Sequence, residues 1–245
     1  MTLNNWYKKY EEILNEFNYD REKEIRSSKI LNSILKTKFP IHSLEKKIQN
    51  KIIFVIGAGP SLELAIPYLK KFKNFTKIVA DGATRALIEN KIKIDIVVTD
   101  LDGDIESLKK TADSKSIMIV HAHGDNINRL PYAISFKSCL GTTEDRPIGK
   151  IKNFGGFTDG DRCVFLANHF KASKIILFGM DFGNQIGKYS KKEVYNKSIK
   201  IKKLRRAKSL LEWLALNSNS EFYTTSQPIN GFKNVKIAQI QTLVR

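Results

Sequence analysis

The chain has 245 residues, 42% of them hydrophobic and 10% aromatic, which is enough apolar side chain for a sizeable core and excludes a disordered chain. Lys and Arg number 42 against 25 Asp and Glu, a formal charge of +17 that suits a surface meeting phosphorylated or other anionic partners. Two cysteines, Cys139 and Cys163, exclude a disulfide scaffold and a four-cysteine zinc site, and no apolar run reaches the roughly 18 residues of a membrane span, so a reduced, cytoplasmic setting without membrane or signal segment is expected.

Trp6, Tyr7, Tyr10, Ile13, Leu14 and Phe17 recur at helical spacing, as do Ile25, Ile30, Leu31, Ile34 and Leu35, and Pro40 closes the run. Residues 1–50 therefore read as an N-terminal helical extension of two helices, packed on the main domain and carrying no chemistry. From Lys51 the pattern becomes short apolar runs alternating with helical segments. Strands are expected at Ile52 to Ile56, Lys77 to Ala80, Asp95 to Val98, Ser116 to Val120 and Lys174 to Phe178. Helices are expected at Leu62 to Lys71, Ala83 to Asn90 and Asp161 to Phe170, while Leu130 to Lys152 reads as loops around one short strand. Residues 51–245 thus form an α/β domain: a mostly parallel, Rossmann-like sheet covered by helices on both faces, with a C-terminal helix and strand. A basic stretch, Lys188 to Asn217, has an apolar side at Leu204, Leu210, Leu211, Trp213, Leu214 and Leu216 and otherwise reads as solvated surface. No motif for nucleic-acid binding accompanies the charge, so no nucleic-acid partner is expected.

In such sheets ligands bind beyond the carboxyl ends of the strands. Gly57-Ala58-Gly59-Pro60-Ser61 follows the first strand and opens a helix, an arrangement that serves equally as a tight turn or as a phosphate site; the third glycine of the dinucleotide fingerprint and the Walker lysine are both missing. Asp81-Gly82-Ala83-Thr84, Asp100-Leu101-Asp102-Gly103-Asp104 and His121-Ala122-His123-Gly124-Asp125-Asn126 follow the next three strands. Each Asp alone suits a turn or a helix cap, but three successive strand ends delivering carboxylates to one edge point to an oxygen-ligated cation such as Mg²⁺. Zinc on His121 and His123 is the weaker alternative, since no Cys or Glu stands at ligand spacing. Phe154-Gly155-Gly156-Phe157-Thr158-Asp159-Gly160-Asp161-Arg162 precedes a helix that Thr158 or Asp159 can cap, and Arg162 offers a fork for phosphate. Gly179-Met180-Asp181-Phe182-Gly183 follows the last of these strands and sets a carboxylate between apolar side chains.

The strings GAGPS, DGAT, DIVVTDLDG, HAHGDN, GGFTDGDR and GMDFG, in this order from about Lys51 to Gly183, resemble the archaeal 6-hydroxymethyl-7,8-dihydropterin pyrophosphokinases of the MptE type, and the helix with Trp6 and Tyr10 is similar to theirs. DGAT and DLDG are also similar to the Asp motifs of thiamine pyrophosphokinases. The resemblance implies Mg²⁺-dependent transfer of a diphosphate from ATP to the pterin hydroxymethyl group, with release of AMP. It implies metal ligands in Asp100, Asp102, Asp125 and Asp81, with Gly57, Gly59, Pro60, Ser61, Gly82 and Arg162 around the phosphates. Thr158, Asp159 and Asp161 would shape the transfer site, and Asp181 and Phe157 would hold the pterin. The stretch Leu140 to Ile148 has no role carried over, the general base is left open, and a homo-oligomer is compatible with the sequence. Transfer to another alcohol, or a glycosyltransferase using the Asp-x-Asp pattern of Asp100 and Asp102, are the competing readings.

Overall fold

The computed structural model describes residues 3–190 and 197–244, so the part of the basic stretch at 191–196 lies outside the described residues. The chain runs α1 (Leu3–Phe17), α2 (Arg21–Ile34), α3 (His42–Ile48), β1 (Ile52–Ile56), α4 (Leu62–Lys71), β2 (Thr76–Ala80), α5 (Thr84–Glu89) and β3 (Ile96–Thr99). It continues through α6 (Ile105–Asp113), β4 (Ile117–His121), β5 (Cys139–Thr142), α7 (Asp159–His169), β6 (Lys174–Phe178), α8 (Lys197–Leu216), β7 (Glu221–Thr224), β8 (Lys233–Asn234) and α9 (Ile240–Leu243). The described strands form one sheet in the order β5-β4-β3-β2-β1-β6-β7-β8. Every pairing is parallel, with register such as Val55 to Ile78 on one side of β1 and Val55 to Leu177 on the other. The fold is the expected α/β class.

Each strand alternates its side chains between two cores. Ile53 and Val55 face a layer formed by α1, α7 and α8, including Trp6, Tyr10, Phe165, Leu210 and Leu214. Phe54 and Ile56 face the opposite layer with Leu31, Leu62, Leu69, Leu87 and Leu108. The N-terminal helices are built into both layers: α1 supplies Trp6 to one and α2 supplies Leu31 to the other. Three differences from the sequence reading are local. A third helix, α3, follows Pro40, buried through Leu44 and Ile48 but only seven residues long. Helix α6 carries few apolar positions, and its start is fixed by Asp104, whose carboxylate accepts from the backbone N–H of Ser107 at 3.1 Å. Strand β3 begins at Ile96, one residue later than read, and the Asp95 carboxylate just before it accepts from the Lys77 N–H at 3.1 Å and pairs with the Lys93 ammonium at 2.8 Å.

Between β1 and β6 the strand order reverses: β2–β5 extend to one side and β6–β8 to the other. The loops leaving β1 and β6 therefore diverge and open a crevice at the carboxyl edge of the sheet. Helix α7 packs across β1, β2, β3 and β6, and its N-terminus points to that same edge.

Candidate active site

An open cleft occupies the crevice. The loops after β1, β2, β3 and β6, the N-terminus of α7 and one side of α8 all contribute to it. Its acidic part is Asp81, Asp100 and Asp102, each offering a carboxylate oxygen within 4.8 Å of the other two. Asp81 is buried, and its Oδ2 accepts from Thr99 Oγ1 at 2.6 Å and from the backbone N–H of Gly103 at 3.1 Å. Between the other two carboxylates Leu101 adopts a left-handed backbone with φ of 65°, a conformation held by its N–H bond to Thr99 Oγ1 at 2.7 Å. Asp159, at the first turn of α7, stands beside this group. Burial pushes its carboxyl well above the usual range, the Asp100 and Asp81 charges push it further, and the Arg162 guanidinium opposes them. Crowded carboxylates of this kind, all hard oxygen donors, are the donor set a divalent cation such as Mg²⁺ requires.

Asp125 stands apart from the cluster. It lies in a single 3₁₀ turn with a 78% exposed side chain, 3.6 Å from His123 Nε2. Its neighbour Asn126 is the inward residue: buried, it donates through Nδ2 to the carbonyls of Asp100 at 2.7 Å and His121 at 2.8 Å, fastening the β4 loop to the acidic one.

The glycines after β1 are explained first by contact with β6. Gly57 and Gly59 donate their N–H groups to the carbonyls of Phe178 at 2.9 Å and Gly179 at 2.8 Å, and a Cβ on Gly57 would lie 2.6 Å from the Gly179 oxygen. These two amides are committed to the neighbouring loop, although both residues line the cleft with Gly82. Ser61 turns to Asp181, whose Oδ2 accepts from its N–H at 2.9 Å and its hydroxyl at 2.8 Å. Asp181 thus closes the β1–β6 junction, while Pro60 and Ser61 are absent from the cleft wall among the described residues.

Gly155 and Gly156, with φ of 83° and 92°, reverse the chain ahead of α7 in a region of backbone space that favours glycine. Asp161 then caps the helix from within: its carboxylate accepts from the N–H groups of Phe157 at 2.7 Å and Thr158 at 2.6 Å. It is fully buried and outside the cleft wall, whereas Phe157, Thr158, Asp159 and Arg162 line it. Arg162 is tied at both ends, donating to Glu144 Oε1 and to Asp159 Oδ1, the latter at 3.3 Å. Behind Glu144 stand His121, whose Nε2 is 3.6 Å from Glu144 Oε1, and His123, whose Nδ1 is 2.8 Å from Glu24 Oε1. Burial and the Arg162 charge hold the His121 imidazole well below its ordinary pKa. The two histidines sit in a buried polar network with Glu144 and Glu24, and they belong to no metal cluster among the described residues. Glu24 comes from α2, so the N-terminal helices reach a residue of the cleft wall, in contrast to the expectation that they keep clear of it.

Two cleft lysines among the described residues come from the basic stretch. Lys200 and Lys203, with Leu204, share one face of α8 and line the cleft. Lys200 faces Asp159 and Asp100, which raise its pKa against a larger lowering by burial. Lys203 lies over the rings of Tyr19 at 5.4 Å and Phe157 at 5.8 Å. Sequence reasoning passed over these lysines as solvated charge, and passed over Glu144 because β5 is short and interrupted by Gly141. The signal for Glu144 was present: Thr143-Glu144-Asp145 leaves a strand end in the way that the Asp loops do.

The chain is thus a parallel α/β domain whose cleft, at the strand-order reversal, is lined by an acidic triad and two lysines. The family described as 6-hydroxymethylpterin diphosphokinase, MptE-like, matches residues 28–187, and the chain belongs to it. A protein of Methanocaldococcus jannaschii named 6-hydroxymethyl-7,8-dihydropterin pyrophosphokinase is 41% identical over 91% of this chain and 99% of its own length. A protein of Pyrococcus furiosus with the same name is 44% identical over 90% of this chain and 97% of its own. Among solved structures, a Maf glycosyltransferase from Magnetospirillum magneticum AMB-1 is similar at 14% identity with a TM-score of 0.49, over 85% of this chain and 39% of that one. No described helix is long and apolar enough to cross a membrane.

Proposed function

We propose that the protein transfers a diphosphate from ATP to the hydroxymethyl group of 6-hydroxymethyl-7,8-dihydropterin, forming the pterin diphosphate and AMP. The observation that carries this reading is the convergence of three carboxylates, Asp81, Asp100 and Asp102, in a cleft that Lys200 and Lys203 also line, in a chain whose relatives are named 6-hydroxymethyl-7,8-dihydropterin pyrophosphokinase. Diphosphate transfer asks little covalent chemistry of a protein; it asks for two anionic groups to be aligned and their charge compensated.

Asp81, Asp100 and Asp102 would hold Mg²⁺, which when bound supplies charge compensation to the phosphate oxygens. The chain's own residues do the rest. Thr99 and Gly103 fix the Asp81 carboxylate, and Asn126 fixes the loop of Asp100. Lys200 and Lys203 would supply positive charge to the phosphates from α8. The interlocked Gly57–Gly59 and Gly179 loops line the crevice without side chains, where the nucleotide would lie. Asp159 and Arg162 stand between the acidic triad and the buried network of Glu144, where the acceptor enters.

The test is an incubation with ATP, Mg²⁺ and 6-hydroxymethyl-7,8-dihydropterin, scoring nucleotide and pterin products together. AMP equal to pterin diphosphate is expected, and ADP equal to a pterin monophosphate overturns the reading. Asp102→Asn keeps the side chain's shape and removes a charge from the triad. Its turnover should fall roughly a hundredfold, about 3 kcal/mol of barrier, with a raised Mg²⁺ requirement and unchanged circular dichroism.

A further inference from the structure

We infer that Glu144, with Arg162 beside it, reads the pyrimidine edge of the pterin from the floor of the cleft, an inference that rests on the pterin reading above. Both side chains line the cleft, Glu144 only 3% and Arg162 only 7% exposed. Glu144 Oε1 takes the Arg162 Nη2 donor, while Glu144 Oε2 and Arg162 Nε are both buried and without a hydrogen-bond partner among the described residues. Buried polar atoms are ordinarily satisfied, and leaving one unpaired is costly. Here an acceptor and a donor are left over on two side chains that already touch, at the one point of the cleft where both belong to its wall.

That pair matches one part of the two substrates. The pyrimidine ring of a pterin presents its 2-amino group, its N3–H and its 4-oxo oxygen in a row: two donors, then an acceptor. A carboxylate accepts from the two adjacent N–H groups, and a neighbouring guanidinium N–H donates to the oxygen. The nucleotide has no equivalent, because adenine pairs one amino group with a ring acceptor and the phosphates only accept. The wall beside Glu144 is aromatic, with Phe157 lining the cleft and the Tyr19 ring tilted against it at 6.3 Å. Asp181, the carboxylate that the sequence offers for this role, also lines the cleft but turns Oδ2 to Ser61 at the β1–β6 junction. The Glu144 position is also held from behind: Trp6 donates to its carbonyl at 2.8 Å and Asn153 at 2.7 Å.

The test compares wild type and Glu144→Gln in steady-state turnover, with 6-hydroxymethyl-7,8-dihydropterin and with the corresponding lumazine, which carries an oxygen in place of the 2-amino group. Wild type should prefer the pterin by about a hundredfold or more in kcat/KM, since a site built to accept from N–H groups rejects an analogue lacking one. In Glu144→Gln the pterin KM should rise by about a hundredfold while the ATP KM moves less than about threefold, and the preference over lumazine should collapse, because the amide N–H can donate to the new oxygen. A folded Glu144→Gln that keeps the wild-type preference, or that raises both KM values alike, overturns the inference and leaves diphosphate transfer standing. A wild-type protein that makes no pterin diphosphate overturns the underlying reading and the inference with it. Where Glu144→Gln does not fold, Glu144→Asp keeps the charge for Arg162 and withdraws the carboxylate by one methylene. Its pterin KM should rise by at least about tenfold at constant ATP KM, and an unchanged pterin KM overturns the inference.

Discussion

Gly103 decides the shape of the acidic triad. A Cβ there would lie 1.9 Å from Asp81 Oδ1, so any other residue pushes Asp81 out of the group or lifts the loop that carries Asp100 and Asp102. Gly103→Ala is expected to raise the Mg²⁺ concentration for half-maximal turnover by about tenfold or more, while overpacking costs about 1–3 kcal/mol of stability. A Mg²⁺ titration of activity beside a melting curve checks this, and an unchanged titration removes the pinning of Asp81 from the mechanism. Asp81, Asp100 and Asp102 were legible because each follows an apolar run that can only be a buried parallel strand. Asp125 follows such a run as well, but the chain enters a 3₁₀ turn after His123 that sends Asn126 inward and Asp125 to solvent. Which of two adjacent polar residues faces in depends on a turn's backbone angles, and no spacing rule in the sequence carries those.

Helix α2 meets the cleft through a single ion pair, Glu24 with His123, buried on both sides. Burial alone lowers the His123 pKa, but the Glu24 contact outweighs it and the net shift is upward. A raised native pKa contributes stability that is complete below the ordinary value of 6.5 and disappears as pH climbs through the native value. The melting temperature should therefore lose its Glu24-dependent part between slightly acid and alkaline pH. Glu24→Gln should melt below wild type at pH 6 and approach it by about pH 9; a difference independent of pH shows that His123 is uncharged throughout. At this scale the β1, α4 and β6 segments were legible to the residue, since long apolar runs ending in glycine leave few alternatives. Helix α6, with apolar positions only at Ile105, Leu108 and Ala112, and β5, with a glycine in four residues, are formed by their surroundings and carry little signal of their own. The role of α8 was hidden for another reason: a lysine facing a cleft and a lysine facing water are the same letter until the helix is docked.

Taken whole, the molecule is held together from its first helix. Trp6 is fully buried, edge-on to Phe165 of α7 at 5.6 Å, and its indole N–H is the donor to the Glu144 carbonyl. Trp6→Ala should cost about 3–5 kcal/mol, a fall in melting temperature of roughly 10 °C, with Trp6→Phe recovering most of it; thermal unfolding followed by circular dichroism decides, and a drop of only a degree or two would make α1 an appendage. The reversal of strand order has a consequence of another kind, in the sequence of events by which the chain acquires its structure. β1 and its partner β2 are close along the chain, whereas β6, which covers the other edge of β1, follows only after β2–β5 and α7. Such a distant closure is slow and leaves an apolar strand edge open to wrong partners in the interval. Because the Gly57 and Gly179 loops interlock in that same step, the crevice does not exist before it: sealing the vulnerable edge and creating the place where substrates meet are one event in the life of the chain.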